Sequence, residues 1–191
     1  IGTQTVAKGL DFPDVTLVGI VSADTSINMP DFRAGERTFQ QITQVAGRAG
    51  RGKSPGKVYV QTYTPEAFAI KAACEHKFSA FYKDELKNRF LANYPPFIHL
   101  FNIGFSSRQE EQLVAEAAKV KEQLCTKFGE KIEICGPVPA PRARIKDNYR
   151  YHILLKSKKM DTLVQISNFL KDYPKNRRVY MTWDLDPKDL L

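Results

Sequence analysis

Residues 44–51 read Gln-Val-Ala-Gly-Arg-Ala-Gly-Arg, and the two arginines, three positions apart and each beside a glycine, carry the strongest chemical signal in the chain. Each guanidinium is a planar fork of donors that meets phosphate oxygens two at a time. Glycine neighbours leave little bulk between the forks. That pairing suits a triphosphate, whose charge must be neutralised as the terminal phosphoryl group leaves. Gly47 to Ser54, Gly-Arg-Ala-Gly-Arg-Gly-Lys-Ser, also satisfies the P-loop expression G-x-x-x-x-G-K-[ST] at every position.

The elements around these residues decide between the two. A P-loop follows a buried strand and opens a helix, whose N-terminal amides cradle phosphates. Here residues 33–46 carry Phe39, Ile42, Val45 and Ala46 at helical spacing. Pro55-Gly56 then turns the chain, and residues 57–63 alternate like a strand. Helix, loop, strand is the reverse of the P-loop order, so the match is a coincidence of letters. Two arginines in a glycine-rich loop have no packing role, which favours the phosphate chemistry.

Upstream, residues 1–13 read Ile-Gly-Thr-Gln-Thr-Val-Ala-Lys-Gly-Leu-Asp-Phe-Pro, and the apolar run 15–21 predicts a buried parallel strand. Gly-Leu-Asp and Gln-x-x-Gly-Arg-x-Gly-Arg resemble motifs V and VI of superfamily 2 helicases. With Ala23-Asp24, Pro30-Asp31-Phe32-Arg33 and Glu36-Arg37, the chain resembles the primosomal protein N′ (PriA) family of replication-restart helicases. The likeness is specific over residues 1–65. It continues more loosely through Tyr94-Pro95-Pro96-Phe97, Gly136-Pro137-x-Pro139-Ala140-Pro141 and Asp184-x-Asp186-Pro187.

The resemblance implies an α/β fold, a partial second RecA-like lobe followed by an α+β C-terminal domain. It also implies roles. Arg51 would be the arginine finger on the γ-phosphate, Arg48 a second phosphate contact, and Gln44 a positioner of nucleotide and attacking water. Gly9, Asp11 and Gly47 would complete the nucleotide site, with Asp11 facing the ribose. Thr3, Gln4 and Lys8 would lie by DNA phosphates. Taken alone, Asp11 also reads as a loop residue before a turn, and Lys8 as a solvated side chain.

The chain begins inside motif V and holds neither a strand–P-loop–helix unit nor an Asp-Glu-x-His box. The expectation is a C-terminal fragment of an ATP-dependent helicase, inactive alone. ATP and Mg²⁺ would serve the full-length parent, and the family's zinc cysteines would lie upstream. Cys74, Cys125 and Cys135 are odd in number and lack C-x-x-C spacing, and His76, His99 and His152 lie far apart, so no metal site is expected. No apolar window is long enough for a membrane span and no signal-peptide pattern occurs. The parent is expected in the bacterial cytoplasm.

The formal charge of +8 points to a polyanion, and its excess is local: residues 142–159 hold seven basic side chains and one acid. Three segments are expected: residues 1–64 of the helicase lobe, an aromatic-rich helix over 65–93 with Thr64 as its N-cap, and a domain over 94–191. In that domain, strands at 98–105, 131–134, 150–156 and 178–184 alternate with two helices. A Ser107-x-x-Glu110 capping box opens the first helix and Asp161 caps the second; a Pro-rich loop spans 136–141. The order βαββαβ implies a ferredoxin-like sandwich, similar to the family's C-terminal domain, which itself resembles ribosomal protein S10.

Arg142, Arg144, Lys146, Tyr149 and Arg150 set cations and one aromatic on a loop or hairpin bend. They suit phosphate neutralisation and base stacking on DNA; the bland alternative is a solvated rim. The family implies forked or single-stranded DNA, the acidic tail of single-stranded-DNA-binding protein and other primosome proteins as partners. Two other readings stay open: a non-catalytic nucleic-acid-binding module with relic motifs, and another superfamily 2 translocase of the RecG type. The latter carries an extra arginine where this chain has Val45-Ala46.

Overall fold

The computed structural model describes residues 15–49, 55–174 and 176–190. The chain divides into two compact units, Ile1–Asn88 and Arg89–Leu191.

In the first unit, β1 (Leu17–Ile20) pairs in parallel with β2 (Lys57–Val60), Val18 beside Val58 and Ile20 beside Val60. Between them run α1 (Asp24–Ile27) and α2 (Ala34–Ala46). The apolar residues of α2 recur every turn, and Phe39 and Ile42 are buried against Ala23, Ile70 and Phe81. The expectation of a fully buried strand is not met. Leu17 is 63% exposed and Tyr59 62%; among the described residues, the buried cluster reaches the ribbon through Ile20 and Val60.

The expected single helix over 65–93 is two, α3 (Phe68–Cys74) and α4 (Phe78–Leu91). His76, at φ 54°, takes the left-handed conformation that separates them. Thr64 does not cap α3. Its hydroxyl donates instead to Asp24 Oδ1, 3.2 Å away, and the helix starts after Ala67. Phe81 stacks on Phe39 with ring centroids 4.2 Å apart, which fastens α4 to α2. Asn93, at φ 51°, follows the end of α4 as expected of a residue that tolerates this region.

In the second unit, β3 (His99–Ser107), α5 (Glu110–Phe128), β4 (Glu133–Ile145), β5 (Asn148–Ser157), α6 (Met160–Lys171) and β6 (Tyr180–Leu185) follow in chain order. The four strands form one antiparallel sheet in the order β4-β5-β3-β6. Alternate residues Phe101, Ile103 and Phe105 of β3 and Ile153 and Leu155 of β5 are buried with Leu113, Val120 and Leu124 of α5 and Leu163, Ile166 and Leu170 of α6. Both helices therefore cover the same face. Asn102, Gly104, Ser106, Arg150 and His152 lie on the other.

Three local expectations are corrected. The Pro-rich segment is part of β4, an edge strand whose pairing is interrupted between Cys135 and Val138 and between Pro139 and Arg144; prolines are tolerated there because the missing N–H faces no partner. The capping box does not form: Ser107 Oγ accepts from Gln109 N, while Glu110 accepts the Tyr151 hydroxyl at 2.8 Å. Asp161 sits in the first turn of α6 and Lys159 holds the cap position, its N–H donating to Ser157 Oγ.

Candidate nucleotide and nucleic-acid sites

Gln44 lies in the last turn of α2 on the face opposite Phe39 and Ile42, and it is exposed. Gly47, Arg48 and Ala49 continue as a turn, with Gly47 N donating to Thr43 O at 3.0 Å and Arg48 N to Val45 O at 3.1 Å. Residues 47–49 thus leave a helix C-terminus, and among the described residues the next element is the strand β2, the reverse of the strand-to-helix order a P-loop needs. Arg51, Gly9, Asp11, Thr3, Gln4 and Lys8 lie outside the described residues.

The far end of α2 is fixed by Asp31. Its carboxylate accepts from Arg33 N at 2.8 Å and pairs with the Arg37 guanidinium at 3.3 Å. Ser26 Oγ donates to Gln41 at 2.7 Å, holding the next turn of the helix to α1. On the ribbon side, Asp24 accepts from Thr62, Tyr63 and Thr64. Burial acts to raise its carboxyl pKa, but these hydrogen bonds outweigh it and hold the group below its usual range. Aspartates thus fix the start of α2 and the segment that follows β2.

In the second unit the basic stretch is a β-hairpin. Ile145 faces Asn148 and Arg144 faces Tyr149, so Lys146-Asp147 is a two-residue loop, with Lys146 at φ 55°. Arg142, Arg144 and Lys146 are exposed; Tyr149 and Arg150 are half-buried. The Arg144 guanidinium lies 5.2 Å from the Tyr149 ring centroid, so the one aromatic already carries a cation. Tyr149 packs toward the helix-covered face, whereas Arg150 points to the open face beside Ser106 and Tyr180. The hairpin brings Arg144 and Tyr149 together and sends Arg150 to the other side.

His152, next on the open face, is held neutral to lower pH than usual by burial and by the Arg150 charge. His99 pairs with Asp186 at 2.9 Å. Burial raises the thiols of Cys74 and Cys135, which keeps them poor nucleophiles. Among the described residues, no helix is long and apolar enough to cross a membrane.

Arg108, Arg177, Arg178 and Tyr180 escaped the sequence reading. They surround a cleft at the end of the sheet from which the hairpin springs. Arg108 is about seventy residues from the others in sequence, and only the pairing of β3 with β6 brings them together.

The family model described as the primosomal protein N C-terminal domain matches residues 91–188. Over 191 residues the chain is 41% identical to the replication restart protein PriA of Bacillus subtilis, covering 98% of this chain and 24% of that protein. It is 40% identical to the protein of the same name from Synechocystis, covering 98% of this chain and 22% of that protein. With the Borreliella burgdorferi protein of that name it shares 38% identity, over all of this chain and 29% of the relative. The chain therefore spans about a quarter of the length of the relatives it matches, and it belongs to the primosomal protein N (PriA) family, with residues 91–188 forming that family's C-terminal domain.

Proposed function

We propose that the chain is the C-terminal part of an ATP-dependent DNA helicase that recognises and remodels stalled or branched replication forks to restart replication. The observation that carries this reading is the Gln44–Arg48 stretch at the C-terminal end of α2, with Gln44 exposed and Arg48 half-buried, set in a chain of this family. The first unit would be the end of a second RecA-like lobe. Gln44, Arg48 and Arg51 make a donor set that fits a triphosphate, with one amide and two guanidinia and no carboxylate among them. Bound MgATP supplies the hydrolysis that drives translocation. The chain's own contribution is charge: Arg51 stabilises the γ-phosphate in the transition state, Arg48 adds a second phosphate contact, and Gln44 orients the water. Gly9, Asp11 and Gly47 complete the nucleotide-binding loops, and Thr3, Gln4 and Lys8 contact the translocated strand.

The second unit is read as a ferredoxin-like, S10-like module. Its βαββαβ order, with the first and third strands central and both helices on one face, supports that reading. Arg142, Arg144, Lys146, Tyr149 and Arg150 are its DNA-binding hairpin. The acidic tail of single-stranded-DNA-binding protein and other primosome proteins are its protein partners in the bacterial cytoplasm. Without the lobe that binds ATP, the 191-residue chain is inactive by itself.

In the complete protein, Arg51→Ala should lower DNA-stimulated ATPase about a thousandfold or more while leaving fork binding intact. Wild-type ATPase in that variant would sink the finger assignment and favour the non-catalytic module.

A further inference from the structure

The end of the sheet that carries the hairpin holds more than the hairpin. In register across the strands, Arg144 faces Tyr149 in β4 and β5, Ser106 faces Arg150 in β3 and β5, and Ser106 faces Tyr180 in β3 and β6. Arg108 follows the end of β3, and Arg177 and Arg178 precede β6. On the open face, a row of Arg150, Ser106 and Tyr180 thus runs from the hairpin to the edge strand, while Arg144 and Tyr149 lie on the other side. At the edge strand the row meets a cleft of about 980 Å³ lined by Arg108, Asn148, Arg177, Arg178, Tyr180 and Trp183.

The cleft is preorganised. Ser107 Oγ donates to the Arg178 carbonyl at 2.8 Å, and Asn176 Oδ1 accepts from Arg178 N at 2.9 Å. Asn176 Nδ2 in turn donates to Glu116, a largely buried acid of α5, at 2.8 Å. The backbone carrying the arginines is therefore held while their guanidinia are exposed. Among the described residues none of the Arg108, Arg177 and Arg178 guanidinia is in an ion pair. Three guanidinia outside any ion pair outnumber the one carboxylate that lines the cleft, Glu116, which Asn176 already engages, and so favour an anion there. Tyr180, which also lines the cleft, is 71% exposed on the open face, where its neighbour in β3 is the small Ser106.

Repeated anions joined to flat apolar groups describe a nucleic-acid strand. We propose that this cleft holds a single strand of nucleic acid running on from the hairpin, its phosphates on Arg108, Arg177 and Arg178 and a base stacked on Tyr180. The cleft is at the upper end of the size range of small-ligand sites, so it admits at least one whole nucleotide. Unstacked bases are available in single strands and not in duplex, so the cleft discriminates single strand from duplex where the hairpin reads only phosphate charge. This deepens the DNA-binding reading of the second unit and rests on it.

The test is fluorescence anisotropy of the 191-residue chain with labelled oligothymidylate and with blunt duplex, over a salt series. Arg177→Ala/Arg178→Ala and Tyr180→Ala should each weaken oligothymidylate binding about tenfold, with Tyr180→Phe retaining it. The arginine pair should also flatten the log–log salt slope by about 0.7 for each lost contact. Duplex binding should stay within about twofold of wild type in these variants and fall instead in Arg142→Ala/Arg144→Ala. Unchanged oligothymidylate affinity in the folded Arg177→Ala/Arg178→Ala variant would overturn the cleft while leaving the hairpin reading in place. If Arg142→Ala/Arg144→Ala also changed nothing, the DNA-binding reading of the unit would fall with it. Arginine-dependent capture of an acidic peptide, with no oligothymidylate bound, would assign the cleft to a protein ligand and overturn the proposal.

Discussion

Lys156 Nζ lies 3.1 Å from Glu133 Oε1 while its own side chain is only 8% exposed. The same ammonium donates to the Ala92 carbonyl at 3.0 Å and sits 4.5 Å from the Tyr94 ring centroid. One buried cation therefore ties β4, β5 and the segment after α4 together. Lys156→Met removes these contacts and leaves a carbonyl unmatched, so unfolding of the second unit should become easier by about 2 kcal/mol in urea titrations. A change under about 0.5 kcal/mol would mean that the lysine contributes only packing.

The same pair sets an acid response. Burial acts to raise the Glu133 carboxyl, but the Lys156 hydrogen bond and charge outweigh it and leave the group below its ordinary value. A carboxylate depressed by folding stabilises the native state above its unfolded pKa and loses that contribution as pH falls through the folded value. The melting temperature of the second unit should therefore decline below about pH 4.5, and the decline should be shallower in Lys156→Met. Parallel curves for the two proteins would remove Glu133 from the account.

In the first unit, Phe81 is sandwiched between Phe39 at 4.2 Å and Phe68 at 5.6 Å. Phe81→Ala empties the middle of that stack, at a cost of about 3–5 kcal/mol. Because Phe39 is on the helix whose last turn carries Gln44, loosening of α2 should accompany the loss, read as faster amide exchange from Phe39 to Ala46 than in wild type.

Gly136 sits at φ 103°, and a Cβ there would lie 2.7 Å from the His152 carbonyl oxygen and 3.1 Å from Val138 N. Both obstacles are backbone and cannot swing aside. Gly136→Ala should cost about 2–3 kcal/mol from strain and contact together, measured by thermal unfolding. A neutral result would show that β4 can shift at its bulge without loss.

Lys146 occupies the left-handed region at the first position of the hairpin loop. Lys146→Gly should raise stability by up to about 1 kcal/mol, since glycine carries no steric penalty there. It should also weaken duplex binding slightly through the lost charge. Stability and affinity moving in opposite directions is the signature to look for in paired melting and anisotropy measurements.

Much of the second unit was legible because its strands alternate and its helices repeat at the expected period, so the βαββαβ order could be written from residues alone. The errors have physical causes. The α3–α4 break falls at Glu75-His76-Lys77, where neither glycine nor proline marks it; a histidine with positive φ leaves no trace in sequence. The segment from Gly136 to Pro141 reads as a loop because proline usually excludes a strand, a rule that lapses at an edge. The hairpin cations were visible as a local cluster, whereas Arg108 and Arg178 become neighbours only through a sheet pairing that no local window contains. The Gln44–Arg48 pattern was legible for the opposite reason, since its residues are adjacent in the chain.

The partnership of β3 with β6 also has a consequence for timing. The first strand of the unit waits for its outer neighbour until everything between them has been synthesised. Pairing across so long a stretch is slow, because the loop must close before any contact rewards it. During translation β3 and β5 can meet early, but β3 keeps a bare edge until Tyr180–Leu185 leaves the ribosome. The arginines before β6 are then set in place by the same event that covers that edge. A nascent chain of this unit gains its cleft and covers that open strand edge in a single late step.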